Sequence, residues 1–172
     1  AALRARLRAE RGPVLFFEGM SLSHAARAPV PRDAFETPIG QARIAREGRD
    51  VTVVAVGSSL PLAMRAAGEL AAEGVELEIL DLRTLRPLDR DAILSSVRRT
   101  RRLITVHEAW VSGGIGAEVA ASVVEEAPEL LVAPVIRIGA APVPVPSGKV
   151  RAHALPNARH IVEAARRVMA ST

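Results

Sequence analysis

Residues 51–89 read VTVVAVGSSLPLAMRAAGELAAEGVELEILDLRTLRPLD, and this stretch decides the fold. Val51 to Val56 is a β-branched run between the turn Gly48-Arg49-Asp50 and Gly57. It is apolar without alternation, the pattern of a strand covered on both faces. Gly57-Ser58-Ser59 predicts a turn and a helix cap. Leu62, Ala66 and Leu70 recur at helical spacing, and Gly74 stops the helix. Val75 to Leu80 is the next strand. Strand, helix and strand in that order form a βα unit whose strands run parallel.

The same alternation continues outward. Ala42 to Arg46 predicts an edge strand. On the C-terminal side, Asp89 is placed to cap a helix with Ile93, Leu94 and Val97 turned inward. Leu103 to Val106 is a third strand, and Ser112 to Gly116 a glycine turn. Ile115, Val119 and Val123 mark another helix, which Pro128 ends. Val135 to Ile138 is a fourth strand, 139–156 is proline-rich and irregular, and Asn157 caps a last helix with Ile161, Ala164, Ala165 and Val168 on one face. Short strands alternating with longer helices predict a mostly parallel sheet with helices on both faces.

Composition limits what this domain does. The chain has 172 residues, 49% of them hydrophobic. Aromatic residues are 2% (Phe16, Phe17, Phe35 and Trp110), so the core is built from Ala, Val, Leu and Ile. The absence of cysteine excludes a disulfide scaffold, a thiolate metal site and a cysteine nucleophile. No apolar run has the ~18 residues of a membrane span, and no signal peptide is recognisable, so the expectation is a cytoplasmic protein without a membrane partner. The net charge is +4, and the single lysine is Lys149. Arginines alternate with acids except at Arg98-Arg99-Thr100-Arg101-Arg102, so a nucleic-acid partner is not expected.

Upstream of residue 39 the pattern differs. Residues 1–11 have helical spacing, Gly12-Pro13 stops that helix, and Val14 to Glu18 is strand-like. Residues 19–38 show no period and contain Pro29, Pro31 and Pro38. A structureless run of that length is long for the inside of one domain. Residues 1–18 are therefore expected to be the tail of a preceding domain, 19–38 a linker, and 39–172 a domain of its own.

Few groups in the sequence are arranged for chemistry. Gly57-Ser58-Ser59-Leu60-Pro61 has Pro where a hydrolase elbow has its last Gly. No phosphate-binding P-loop occurs. Gly114-Ile115-Gly116 is half of a dinucleotide fingerprint, with Val119 in place of the third glycine. Glycine there permits a tight turn and close helix packing; its free N–H groups could alternatively meet an anion or a partner's carboxylate. His107-Glu108 stands at the end of the third strand, where α/β proteins place their sites. The carboxylate could raise the imidazole pKa and form an acid–base pair, but strand neighbours point to opposite faces. In Asp81-Leu82-Arg83-Thr84-Leu85-Arg86-Pro87-Leu88-Asp89, Asp81 and Arg83 could pair across the strand end, leaving a loop pinned by ion pairs or a grip for an anion or partner. Trp110 is a loop residue that plugs an apolar seam or anchors an interface. His24, His153 and His160 have no metal-ligand spacing.

DLRTLRPLD (81–89) followed by HEAWVSGGIGAEVA (107–120) resembles the C-terminal domain of transketolase-like, thiamine-diphosphate-dependent enzymes. It is most similar to the beta subunit of the decarboxylating component of pyruvate and branched-chain 2-oxo acid dehydrogenase complexes. PIGQARIAREGRDVTVVAVG (38–57), EGVELEILDLR (73–83), APVIRI (133–138) and LPNARHIVEA (155–164) extend the resemblance along the chain. It implies a three-layer α/β/α sandwich with a five-stranded, mostly parallel sheet and one antiparallel strand. It also implies a non-catalytic assembly domain, itself inactive and binding no cofactor. The full enzyme, a heterotetramer with an alpha subunit and a second beta subunit, would decarboxylate a 2-oxo acid on thiamine diphosphate and magnesium. It would pass the acyl group to lipoyl-lysine on an acyltransferase core. Family catalytic, cofactor and metal motifs match no residue here. The interface or structural candidates are Asp81, Arg83, Arg86, Glu108, Trp110, Gly113, Gly114 and Gly116. The loop GAAPVPVPSGKVRAHALP (139–156) departs from the family by offering Arg151-Ala152-His153 where an acidic residue is usual. The alternatives are a transketolase or deoxyxylulose-phosphate synthase C-terminal domain, and a stand-alone interaction module.

Overall fold

The computed structural model describes residues 37–171; the expected tail over 1–18 and most of the expected linker over 19–38 lie outside them. The strands are β1 (Arg43–Arg46), β2 (Val51–Ala55), β3 (Leu77–Asp81), β4 (Leu103–Trp110) and β5 (Ile136–Ala140). The helices are α1 (Ser59–Ala71), α2 (Arg90–Thr100), α3 (Ile115–Glu126), a short α4 (Arg151–Ala154) and α5 (Ala158–Ala170).

All five strands form one sheet in the order β1-β3-β2-β4-β5. The β2–β3, β2–β4 and β4–β5 pairs are parallel, and β1 runs antiparallel on the edge beside β3. The expected architecture is thus the observed one. Alternation along the strands builds two cores. Val51, Val53, Leu77, Ile79 and Ile104 face α1 and α5, meeting Ala63, Ala66, Leu70, Ile161 and Val168. Val54, Leu80 and Leu103 face α2 and α3, meeting Ile93, Val97, Val119 and Val123.

The helix ends follow local chemistry. Gly74, at φ +80°, sits in the left-handed region, and the Val75 N–H returns to the Leu70 carbonyl at 3.0 Å. This closes α1 in a Schellman arrangement that glycine adopts without a Cβ penalty. Asp89 caps α2, its Oδ1 accepting from the Ala92 N–H at 3.0 Å. Asn157 caps α5 reciprocally with His160. The serine cap expected for α1 does not form: Ser58 already has helical dihedrals, not the extended ones that aim a capping hydroxyl, and it makes no cap bond. The 139–156 segment is more ordered than expected. It begins as β5, and once Pro142, Pro144 and Pro146 are passed it forms a 3₁₀ turn (Gly148–Val150) and α4.

A buried polar cluster ties α2 to the sheet. The Glu78 carboxylate, 2% exposed, accepts from Ser96 and pairs with Arg99 at 2.6 Å. Thr52 Oγ1 lies 2.7 Å from both Ser96 Oγ and Thr100 Oγ1. The basic run 98–102 is divided by these contacts. Arg99 turns to Glu78, Arg101 closes α2 at φ +59°, and Arg102 Nε donates to the Val168 carbonyl at 3.2 Å. Ser96→Ala would leave a buried carboxylate and a buried hydroxyl each short of a partner. The expected loss is about 1–3 kcal/mol of unfolding free energy, measured by urea denaturation.

Candidate functional site

The parallel strands end at one edge of the sheet, and the loops there carry the candidate residues. Two groups form. The first lies at the end of β4. Val106 pairs with Ile138 and Trp110 with Ala140, so four steps on β4 span two on β5. The extra residues make a bulge at His107-Glu108-Ala109. A bulge leaves a carbonyl without its ladder partner, and the His107 side chain supplies one: Nδ1 lies 3.1 Å from the Ala109 oxygen. A carbonyl only accepts, so the imidazole proton is on Nδ1 and Nε2 carries a lone pair.

His107 is 3% exposed, and glycines surround it. A Cβ on Gly116 would stand 2.8 Å from His107 Nε2 and collide with Thr105 Oγ1. One on Gly114 would stand 3.0 Å from Nε2 and meet the Trp110 carbonyl. One on Gly139, opposite the bulge, would stand 2.6 Å from the Ala109 oxygen and 3.1 Å from His107 Cε1. Gly114 and Gly116 thus let the start of α3 close over the imidazole, the packing reading of the G-x-G. Gly113, at φ +72°, makes the turn in a conformation other residues adopt poorly. Burial pushes the His107 pKa below its ordinary value, with the Arg137 charge adding to the effect and the Ala109 bond opposing it. The conditional expectation that Glu108 would raise it is overturned: burial outweighs any carboxylate effect, and the charge that acts on the imidazole is that of Arg137. Glu108 is half-buried and forms no ion pair within the described residues. Trp110 is the last residue of β4, not a loop residue as expected, because the bulge carries the strand past Glu108. Its indole is half-exposed, and Nε1 donates to the Val143 carbonyl at 3.3 Å.

The second group holds the chain where it enters the domain. Asp81 pairs with Arg43 at 3.3 Å and, as expected, with Arg83 at 3.8 Å. Arg83, two residues past the end of β3, adopts φ +56°. Thr84 Oγ1 accepts from the Gly40 N–H at 3.0 Å and donates to the Pro87 carbonyl at 3.2 Å. Asp89 acts twice: Oδ1 caps α2, and Oδ2 accepts from the Ala42 N–H at 2.7 Å. The 81–89 segment is therefore a clamp on residues 40–43. Its tip, Leu85 and Arg86, points outward; Leu85 is 46% exposed, and Arg86 has no ion pair within the described residues.

Sequence reasoning did not identify Gly139, Thr84, Gly40 or the second role of Asp89. These contacts join positions some 30–50 residues apart, and only the β1–β3 and β4–β5 pairings bring them together.

Gly116→Ala should destabilise by about 1–3 kcal/mol through overpacking. Gly68→Ala, on the exposed face of α1 with open space around its Cβ, should stabilise by up to ~1 kcal/mol. Chemical denaturation of the two variants checks the contrast. His107 also makes stability depend on pH. Above about 6.5 both folded and unfolded imidazoles are neutral and its contribution is complete. As pH falls below that value the unfolded state binds the proton first, so stability declines towards the depressed folded pKa. His107→Gln should flatten that part of the stability-against-pH curve.

Comparison with known proteins agrees with this geometry. The family model of the transketolase C-terminal domain matches residues 40–161. The chain is 44% identical over 169 residues to pyruvate dehydrogenase E1 component subunit beta-2, mitochondrial, of Oryza sativa subsp. japonica, covering 96% of this chain and 45% of that protein. It is 40% identical over 168 residues to the corresponding beta subunit of Rhizobium meliloti, covering 96% of this chain and 36% of that one. The solved structure of a split gene transketolase, an inactive beta4 tetramer, superposes with a TM-score of 0.70 at 32% identity, over 79% of this chain and 43% of that one. The chain spans less than half the length of these relatives. The cytoplasmic expectation does not stand: the rice relative and four others are mitochondrial by name. A core suited to water folds equally well in either compartment, so the composition used for that expectation does not separate them.

Proposed function

This chain belongs to the transketolase C-terminal domain family, and from that premise we propose that it is the assembly domain of the beta subunit of a pyruvate dehydrogenase-type enzyme. In this reading the complete alpha/beta enzyme oxidatively decarboxylates a 2-oxo acid and transfers the acyl group to lipoyl-lysine. Residues 1–18 are then the end of a preceding domain, 19–38 the linker, and 39–172 the assembly domain. The observation that carries the proposal is the reach of the likeness. The family model begins at residue 40, whereas identity to the named beta subunits covers 96% of the chain and so continues well upstream of it.

The site supports the same reading. His107 turns its Nδ1 proton to its own bulge and its Nε2 into packed glycines, so no reacting atom can approach it without opening the turn. The described residues include no group of three or more His, Asp or Glu arranged to hold a metal ion. In this reading thiamine diphosphate and magnesium are held by other parts of the assembly, and no step of the reaction is assigned to residues of this chain. What the domain offers is surface. The Leu85-Arg86 tip and Trp110 stand half-exposed or more on rigid supports, suited to contact with an alpha subunit, a second beta subunit in a heterotetramer, or an acyltransferase core. The higher identity to pyruvate dehydrogenase beta subunits than to the split transketolase favours pyruvate over a sugar phosphate as the substrate class.

The test is reconstitution. The full-length beta subunit containing this chain, mixed with its alpha subunit, thiamine diphosphate and magnesium, should reduce an artificial electron acceptor with pyruvate. Residues 1–172 alone should not. Turnover by residues 1–172 alone, or none by the complete assembly with any 2-oxo acid, would contradict the proposal.

A further inference from the structure

A cleft of about 510 Å³ opens between the turn at 111–113, the end of β5 and the start of α5. That size lies within the roughly 300–1,000 Å³ of small-molecule sites. Its wall is apolar, formed in part by Ala140, Pro142 and Leu155, and three nitrogen-bearing side chains, Arg137, His153 and His160, line it with no carboxylate among the lining residues.

Two of these side chains are held as donors. Arg137 gives one N–H to the Val111 carbonyl at 3.2 Å, and it forms no ion pair within the described residues. A guanidinium carries five N–H donors, so most of its capacity is uncommitted. His160 is locked by the cap of α5. Its Nδ1 accepts the Asn157 backbone N–H at 3.3 Å, while the His160 backbone N–H donates to Asn157 Oδ1 at 3.2 Å. With Nδ1 accepting, the ring proton resides on Nε2, which is left to donate. The acid one turn along the helix, Glu163, is already engaged by Arg159 at 2.7 Å. The cleft thus combines exposed donors that keep spare hydrogen-bonding capacity with an aliphatic lining.

We propose that this cleft binds a small free aliphatic carboxylate, with Arg137 and His160 Nε2–H holding the carboxylate head and the Ala140–Pro142–Leu155 wall taking the chain. A planar carboxylate accepts two hydrogen bonds side by side, the geometry that a guanidinium edge presents. The proposal is independent of the beta-subunit reading, since it rests only on side chains of the described domain.

The experiment is a titration of the uniformly ¹⁵N-labelled intact chain with butyrate at constant ionic strength, followed by amide chemical shifts. Butyramide, which keeps the chain and loses the charge, and inorganic phosphate, which keeps charge and loses the chain, are the comparison probes. Saturable shifts confined to Gly113, Ala140, Leu155 and His160, stronger for butyrate than for either comparison probe, are expected. Arg137→Gln should weaken butyrate binding roughly ten-fold while leaving amide shifts distant from the cleft in place, which shows that the variant is folded. Equal binding of butyramide, equal or tighter binding of phosphate, unchanged affinity in Arg137→Gln, or no saturable shift in the millimolar range would each overturn it.

Discussion

The packing of α3 against β4 depends on the absence of two Cβ atoms. Gly114 and Gly116 leave a hollow at the helix start, and the His107 imidazole fills it. The same ring reaches the Ala109 carbonyl that the strand bulge leaves without a ladder partner. One side chain therefore satisfies the bulge and sets the distance of the helix from the sheet. Gly139 completes the enclosure on β5, where a side chain would push the two strands apart opposite the bulge. Without this contact the turn at 111–113 would lose its anchorage, and with it the far end of β4 and the position of Trp110.

The clamp at 81–89 acts at the other side of the same sheet edge. It binds the entering chain through Thr84 and Asp89, and its ion pairs hold Arg43 against the end of β3. The two devices divide the surface of the domain between them. The clamp fixes where any preceding domain departs, and the bulge fixes where Trp110 and the 141–150 loop present themselves. Both are braced by hydrogen bonds within the domain. Polar groups committed to the local shape at these two places suit surfaces that hold partners in position, as the assembly reading requires.

Much of this was legible in the sequence, because the local rules agree with the global fold. β-Branched runs gave the buried strands, and Asp89 and Asn157 announced their helices, since an N-cap acts within its own turn. Close packing was one of two readings open for the glycines at 114 and 116, and the residue that packs there, His107, was not legible. The bulge itself left no local mark. Its cause is a register difference with β5, about 30 residues away, so β4 was expected to end at His107-Glu108 and Trp110 to lie in a loop. Arg137 was not singled out, and His160 was weighed only as a metal ligand, for a similar reason. Each looks like an ordinary surface residue until β5 and α5 are placed side by side.

The direct test of His107 as the organising contact is its tautomer in solution. A long-range ¹H–¹⁵N spectrum of the imidazole at neutral pH should show a neutral ring protonated on Nδ1, with slow exchange of that proton, because the Ala109 carbonyl and the glycine enclosure hold it. A ring protonated on Nε2, or one that is charged and exchanging freely with water, would mean that the bulge carbonyl is not satisfied by His107 and that the helix is positioned by something else.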